Sequence, residues 1–203
     1  MKKIFFCLVL ILQFSMALFS IALAGELENS LIMYASIGDL TSVRNLVEKG
    51  ANINARDTLG MTVLTNTVRM GDRNKEVALF LIDRGADLNV YDKNGWTPLM
   101  HAARAGSVSV VRALIEKGAN MNERDEYGNT ALMHASGDSP HSDVVRILIE
   151  KGANLNITTK SGQTALRTAR FLKSVGKADF GYGPKQQGEI EEIVRMLERA
   201  GAR

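Results

Sequence analysis

The chain has 203 residues, of which 45% are hydrophobic, with 25 lysines and arginines against 22 aspartates and glutamates. This length is enough to bury a core, and the near balance of charge gives no support for nucleic-acid binding, which requires a concentrated basic face. The single cysteine, Cys7, excludes a framework of disulfide bonds, so packing has to hold the fold together.

Residues 1–24 have the pattern of a secretory signal peptide. Two lysines are followed by an apolar stretch from Ile4 to Phe19, and the segment ends in the small-x-small triplet that closes at Ala24. This pattern predicts cleavage after Ala24. The alternative is an uncleaved membrane anchor, since a stretch of about 20 residues is long enough to cross a bilayer. We favour cleavage, because polar residues at positions 13, 15 and 20 dilute the stretch, and we expect no stable membrane insertion afterwards.

Beyond residue 24, one pattern recurs along the chain. A phrase of the type E-K-G-A-N-x-N has its glycine at positions 50, 85, 118 and 152, and a second glycine series at positions 60, 95, 128 and 162 keeps the same spacings. Each glycine of the second series is followed two residues later by a threonine. Two markers that keep step at a period near 33 residues indicate a repeat architecture.

The third copy shows what each unit is expected to form. Thr97 and Pro98 predict the start of a first helix, because a threonine oxygen caps free amides and proline fits the first turn. Gly106 ends that helix, Ser107 is expected to cap a second helix, and Gly118 ends the second helix in the left-handed conformation. The residues between units are polar and rich in turn formers. Each copy is therefore predicted to be a helix, a tight turn, a helix and a projecting hairpin-like loop.

This unit resembles an ankyrin repeat. The third copy, DKNGWTPLMHAARAGSVSVVRALIEKGANMN from Asp92, has the D-x-x-G-x-T-P-L, A-A-x-x-G and G-A-x-x-N marks of that family. The resemblance implies an all-α ankyrin-repeat solenoid of about five stacked helix-turn-helix units with projecting hairpin loops. The ankyrin-repeat domain would cover residues 25–203, with units at 28–56, 57–91, 92–124, 125–158 and 159–203.

The first and last of these units are expected to act as caps, because nothing stacks beyond them. The last unit is longer than the others by about 16 residues. We place this insert at residues 171–188, where glycines and lysines suggest a mobile loop. Phe171, Phe180 and Tyr182 of the insert are available either to anchor a partner or to cover the last groove.

No sequence motif predicts an enzyme or a cofactor site, since a phosphate-binding loop and a serine-hydrolase motif are absent. His101 and His134 occupy equivalent places in adjacent copies, one residue after the family's histidine position, which holds Met100 and Met133 here. A metal shared by these histidines and His141 is an alternative to a structural role, but no carboxylate or cysteine recurs with them as metal ligands would. We therefore expect no catalytic residues, no metal and no cofactor.

The remaining candidate site is a surface. Stacked hairpins and first helices form an extended concave face, through which solenoids bind other proteins. The family resemblance implies contact positions beside the D-x-x-G turn and at the end of the first helix. On this basis the predicted protein-binding residues are Arg56, Met61, Arg69, Tyr91, Lys93, Asn94, Trp96, Arg104, Arg124, Glu126, Tyr127 and Asn129, with Thr58, Leu59, Met70 and Ala105 beside them. Tyr91, Trp96 and Tyr127 fall on adjacent tips and are expected to form the binding hot spot.

The sequence therefore predicts a non-enzymatic protein-binding module. With its predicted signal peptide, the expected location is the bacterial periplasm, where a monomeric stack would cover another periplasmic protein, as an inhibitor or immunity protein does. Two alternatives stay open at this point. One is a secreted effector that binds host or competitor proteins, and the other is a small metal-binding protein that uses its histidines.

Overall fold

The computed structural model describes residues 25–137, 139–175 and 182–203, so the predicted signal segment lies outside the described residues. Helix α1 includes residues 25–37. The helices that follow are α2 (Leu40–Glu48), α3 (Val63–Arg69), α4 (Lys75–Asp83), α5 (Pro98–Ala105), α6 (Val108–Glu116), α7 (Ala131–Ser136), α8 (Ser142–Glu150), α9 (Ala165–Val175) and α10 (Pro184–Arg199). Strand-like pairing in these residues is limited to an isolated bridge between Arg56 and Thr62, and the predicted all-α class is confirmed.

The helices form two rows. The first helices of successive units, α3, α5, α7 and α9, contact one another in order, and the second helices α2, α4, α6, α8 and α10 do the same. Each of α3, α5, α7 and α9 also contacts the second helix of its own unit. Contact between nearest neighbours along one axis is the arrangement of a solenoid, which confirms the predicted stack. None of the helices in the described ranges combines the length and the apolar character needed to cross a membrane.

Small side chains let the first helices approach one another closely. Ala102 and Ala103 of α5 and Ala135 of α7 are fully buried, with Leu99 and Leu132 packed in the same layer. The second helices each turn one apolar face inward at helical spacing. A single core joins all the units, from Leu31 in α1 to Leu197 in α10.

Threonine caps begin the first helices, as predicted. The hydroxyl oxygens of Thr62, Thr97 and Thr130 accept hydrogen bonds from the amides three residues later, at 3.2, 3.3 and 3.5 Å. The prediction for Ser107 is wrong in one respect. Ser107 directly precedes α6, but its hydroxyl donates to the carboxylate of Asp72 in the preceding unit and caps no amide. Asp72 is available because extra residues in the second unit form a short 3-10 turn there.

The asparagine of each G-A-x-x-N mark links one unit to the next. The side-chain oxygens of Asn54, Asn89 and Asn122 each accept a hydrogen bond from a backbone amide of the following unit, all at 2.9 Å. Asn156 accepts from the amide of Arg203 at 2.8 Å. Each bond joins neighbouring units, and the stability of a solenoid depends on such contacts.

The prediction of a mobile loop over residues 171–188 of the last unit is wrong at both ends of that segment. Helix α9 covers the beginning of this segment and α10 covers its end. Leu166, Ala169 and Leu172 continue the helical spacing and are buried, which carries α9 beyond the point where the other first helices end. Residues 176–181, with Phe180, lie outside the described residues.

Candidate functional site

An aspartate closes the turn at each of the second, third and fourth hairpin tips. In the third unit, Oδ1 of Asp92 accepts hydrogen bonds from the amides of Asn94 and Trp96 at 2.8 and 3.0 Å. Asp125 makes the same two bonds in the fourth unit, at 2.9 and 2.8 Å. The D-x-x-G mark therefore builds a fixed tip that positions the side chains around it.

The same aspartates also reach the first helix of their own unit. Oδ2 of Asp92 lies 2.9 Å from Nε2 of His101, and Oδ2 of Asp125 lies 3.0 Å from Nε2 of His134. The prediction that no carboxylate recurs with these histidines is therefore wrong. Each partner stands nine residues earlier in the sequence, and the turn folds it back over the helix.

Trp96 joins the third and fourth units between the two histidines. Its ring centroid lies 4.9 Å from that of His101 and 4.0 Å from that of His134. The guanidinium carbon of Arg104 lies 5.6 Å from the Trp96 centroid. His141 stands apart, with Nε2 2.9 Å from the carbonyl oxygen of Arg104. Within the described residues, no group of three or more histidines, cysteines or carboxylates is arranged to hold a metal ion.

Burial lowers the pKa of both paired histidines. Loss of hydration lowers the pKa of His101 most, the carboxylate of Asp92 raises it by less, and the positive charges of Arg69 and Arg104 lower it further. The pKa of His134 follows the same balance, with burial as the largest cause. Both imidazoles are therefore neutral at pH 7, and their bonds to aspartate are those of a neutral ring.

We expect the free energy of unfolding to fall as the pH falls below 6.5. The pKa of an unperturbed histidine is 6.5, and the folded values for His101 and His134 are lower. In this window the unfolded state binds more protons than the folded state, so acid favours unfolding. The loss approaches about 1.4 kcal/mol per pH unit for each histidine and levels off once the folded rings are protonated. Urea unfolding at several pH values measures it.

The second unit supplies the control for this pH dependence. Asn66 occupies the place of the histidine there, and its Nδ2 donates to Oδ2 of Asp57 at 2.8 Å. The double substitution H101N/H134N should keep the bond to each aspartate without a titrating ring, and most of the pH dependence between pH 6.5 and about 4.5 should disappear. Aspartates whose pKa is lowered in the fold still favour unfolding in stronger acid. An equal fall in stability in both proteins would show that other groups carry it.

Neighbouring hairpins are tied to one another by side chains that we predicted to bind a partner. Arg56, Lys93 and Arg124 each donate to a backbone carbonyl of an adjacent hairpin, at 3.1, 2.7 and 2.7 Å. The hydroxyl of Tyr91 donates to the carboxylate of Glu123 at 2.6 Å. These bonds align the tips into one surface. We call it the hairpin face, and it consists of residues 56–61, 91–96, 124–129 and 158–163 with the C-terminal ends of the first helices.

The predicted binding residues differ in what they offer to a partner. Those exposed are Arg56, Arg69, Tyr91, Lys93, Asn94, Arg104, Arg124, Glu126 and Tyr127. Trp96 and Asn129 are half-buried, and the amide side chain of Asn129 donates to Asp125. Met61 requires a correction. It is only 6% exposed, because the turn at Asp57 binds its amide and directs the side chain inward, so it offers no surface to a partner.

Comparison with known families agrees with this architecture. A family model described as ankyrin repeats (3 copies) matches residues 31–125, and one described as ankyrin repeats (many copies) matches residues 114–169. The two matches together extend over more than half of the chain. The chain belongs to the ankyrin-repeat family. No curated protein matches it. Ankyrin repeats are protein–protein interaction modules, so the surface of this stack is where a partner is expected.

The exposed large hydrophobic side chains of this ankyrin-repeat protein are not spread evenly. Within the described residues they all belong to hairpins or to first helices and their ends. They are Met33, Ile37, Leu59, Met70, Tyr91, Tyr127 and Phe171, with exposed fractions between 40% and 69%. The sequence reasoning missed Met33 and Ile37, because α1 has no D-x-x-G turn before it to align the unit. Their spacing of four residues, on one side of a helix, was the available signal.

Proposed function

We propose that this ankyrin-repeat protein is a non-enzymatic binding module that holds a partner protein against the hairpin face. The observation that carries the proposal is the position of the exposed apolar side chains, all of which belong to hairpins or first helices in the described residues. Leu59, Met70, Tyr91 and Tyr127 belong to the hairpin face, and exposed apolar groups on one face favour a partner that covers them. Stacked repeats bind other proteins through an extended face of this kind.

The proposed location is the bacterial periplasm. The signal-peptide pattern of residues 1–24 supports export and cleavage after Ala24. Cys7 lies within that segment, so the exported chain would need no disulfide chemistry to fold. There, as a monomer, the stack would cover the active site or docking face of another periplasmic protein, in the manner of an inhibitor or an immunity protein.

Capture of partners from a periplasmic extract tests this function, with the chain from Gly25 onward as bait because the core lies within it. The hairpin-face variant L59S/M70S/Y127A removes exposed apolar groups and leaves the core intact. We expect this variant to bind the captured partner roughly tenfold or more weakly, because a few apolar and aromatic contacts dominate most interfaces. Trp96 is left unchanged, since its ring joins two units.

The matched control changes the second helices. K75A/R112A/K151A removes three exposed side chains, one each from α4, α6 and the end of α8. This control should bind the partner within about twofold of the parent, because substitutions away from an interface have small effects. Titration calorimetry with the purified partner gives both affinities, and the partner's own activity with and without the bound stack shows inhibition. Equal weakening by both sets would contradict binding through the hairpin face.

A further inference from the structure

We propose that the hairpin face binds an acidic segment of its partner, with Arg69 and Arg104 at the centre of the contact. This inference rests on the proposed function. The two arginines hold equivalent positions in consecutive units, 35 residues apart, each two residues before the glycine of positive φ that follows its first helix. Both lie close enough to His101 for their positive charges to lower its pKa. Because α3 and α5 pack against each other, both arginines lie at the same end of neighbouring first helices.

Among the residues that the structure describes, neither Arg69 nor Arg104 is paired with a carboxylate, although Arg69 lies near enough to Asp57 to help lower its pKa. In the described residues neither guanidinium makes a hydrogen bond or an ion pair, and Arg104 only lies over the ring of Trp96. Elsewhere Arg146 and Arg170 are bound to carboxylates of α10. A guanidinium carries five N–H donors and no acceptor. Because both side chains are exposed, these donors are available to a bound molecule.

The groups that a partner would meet on this face are mostly cationic. The exposed cations are Arg56, Arg69, Lys93, Arg104, Arg124 and Lys160, and the carboxylates beside them are Asp72, Glu123 and Glu126. The aspartates of the turns point inward, where amides, His101, His134 and Asn66 bind them. The second helices, in contrast, end in an acidic residue followed by a basic one, such as Glu116 and Lys117. Charge complementarity therefore favours a partner that presents carboxylates to the hairpin face.

A protein segment fits this surface better than a nucleic acid. Arginine pairs with carboxylates through two parallel hydrogen bonds. Leu59, Met70 and Tyr127 are exposed on the same face and supply apolar contact beside those pairs. A nucleic acid requires a continuous basic track, which Glu123 and Glu126 interrupt. The expected ligand is a segment in which aspartate or glutamate alternates with apolar or aromatic residues.

Selection from a random peptide library displayed on phage tests this inference, with the chain from Gly25 onward as bait. We expect the selected peptides to be rich in aspartate and glutamate beside apolar residues. A synthetic peptide from the selection should bind R69E/R104E roughly tenfold or more weakly, and its binding to the parent should weaken with added salt. R69K/R104K keeps the charge but loses the paired hydrogen bonds, so its affinity should lie between that of the parent and that of R69E/R104E. K75E/R112E, on the second helices, should bind as the parent does, and circular dichroism checks that each variant is folded.

The outcomes separate this inference from the proposed function. The selected peptides could instead have no excess of acidic residues and bind to R69E/R104E but not to L59S/M70S/Y127A. That result would overturn the acidic partner and leave the proposed function standing. Peptides that bind all these variants equally would overturn both. A single-stranded RNA oligonucleotide that binds as tightly as the peptides, and depends on the same arginines, would overturn the choice of a protein segment.

Discussion

Replacing Asp125 with alanine should lower the free energy of unfolding by about 2–4 kcal/mol. The Asp125 side chain is completely buried. It accepts hydrogen bonds from the amides of Tyr127 and Asn129 and pairs with His134. Without it these groups lose their partner inside the protein, where each unmade bond costs about 1–3 kcal/mol. Urea unfolding followed by circular dichroism measures the loss.

The control for this substitution is Asp87, another aspartate in a loop. Asp87 is exposed, and its carboxylate accepts only a long bond, 3.4 Å, from the amide of Asn89. D87A should change the free energy of unfolding by no more than about 0.5 kcal/mol. If D125A were as stable as D87A, the buried aspartate would not be what holds the hairpin to its helix.

Replacing Gly106 with alanine should cost about 3 kcal/mol, for two separate reasons. Gly106 has a φ of +72°, in the left-handed region, where a side chain costs about 1–2 kcal/mol. A methyl group there would also lie 2.5 Å from Nδ1 of His141. The imidazole would have to leave the carbonyl of Arg104, which removes the bond that ties the fourth unit to the end of α5. Thermal and urea unfolding both report the loss.

A double-mutant cycle separates the two causes. In the H141A background the space is open, so G106A should cost only the backbone term of about 1–2 kcal/mol. G118A is the matched control, because Gly118 has a φ of +96° and no atom within 4 Å of an added methyl group. Its cost should equal that of G106A in the H141A background. An unchanged cost for G106A in both backgrounds would exclude the contact with His141.

The parts of the fold that the sequence predicted are those set by local chemistry. A threonine that caps a helix and a glycine that ends one act within a few residues, so their spacing predicts the helix pairs and the stack. The aspartate turns are equally local. Because Thr97, Gly106 and Gly118 carry this information themselves, one copy was enough to interpret the others.

The remaining features depend on contacts between units, which the sequence does not show. A serine hydroxyl at this position commonly caps the helix, yet the hydroxyl of Ser107 donates its hydrogen bond to Asp72 of the preceding unit. Met61 follows a turn that points its side chain into the core. The pairing of His101 with Asp92 needs the hairpin to fold back over the helix. These are tertiary effects that override local preference.

The structure also distinguishes residues of the predicted face that hold the stack together from residues that are available to a partner. Trp96, Arg56 and Arg124 are engaged with neighbouring units, so changing them would disturb the stack as well as any partner. Leu59 and Tyr127 are exposed, and their side chains make no hydrogen bond or ion pair within the described residues. Variants at such positions report on binding without reporting on folding. Within the hot spot expected at Tyr91, Trp96 and Tyr127, the first two are held by contacts inside the stack, and Tyr127 is available to a partner.

Hydrogen–deuterium exchange on the complex with the captured partner tests the binding face most directly. Binding through the hairpin face should slow amide exchange in residues 56–61, 91–96 and 124–129 and leave the exposed sides of α4, α6 and α8 unchanged. Slower exchange confined to those second helices, with the hairpins unaffected, would contradict it and place the partner on the opposite side of the stack.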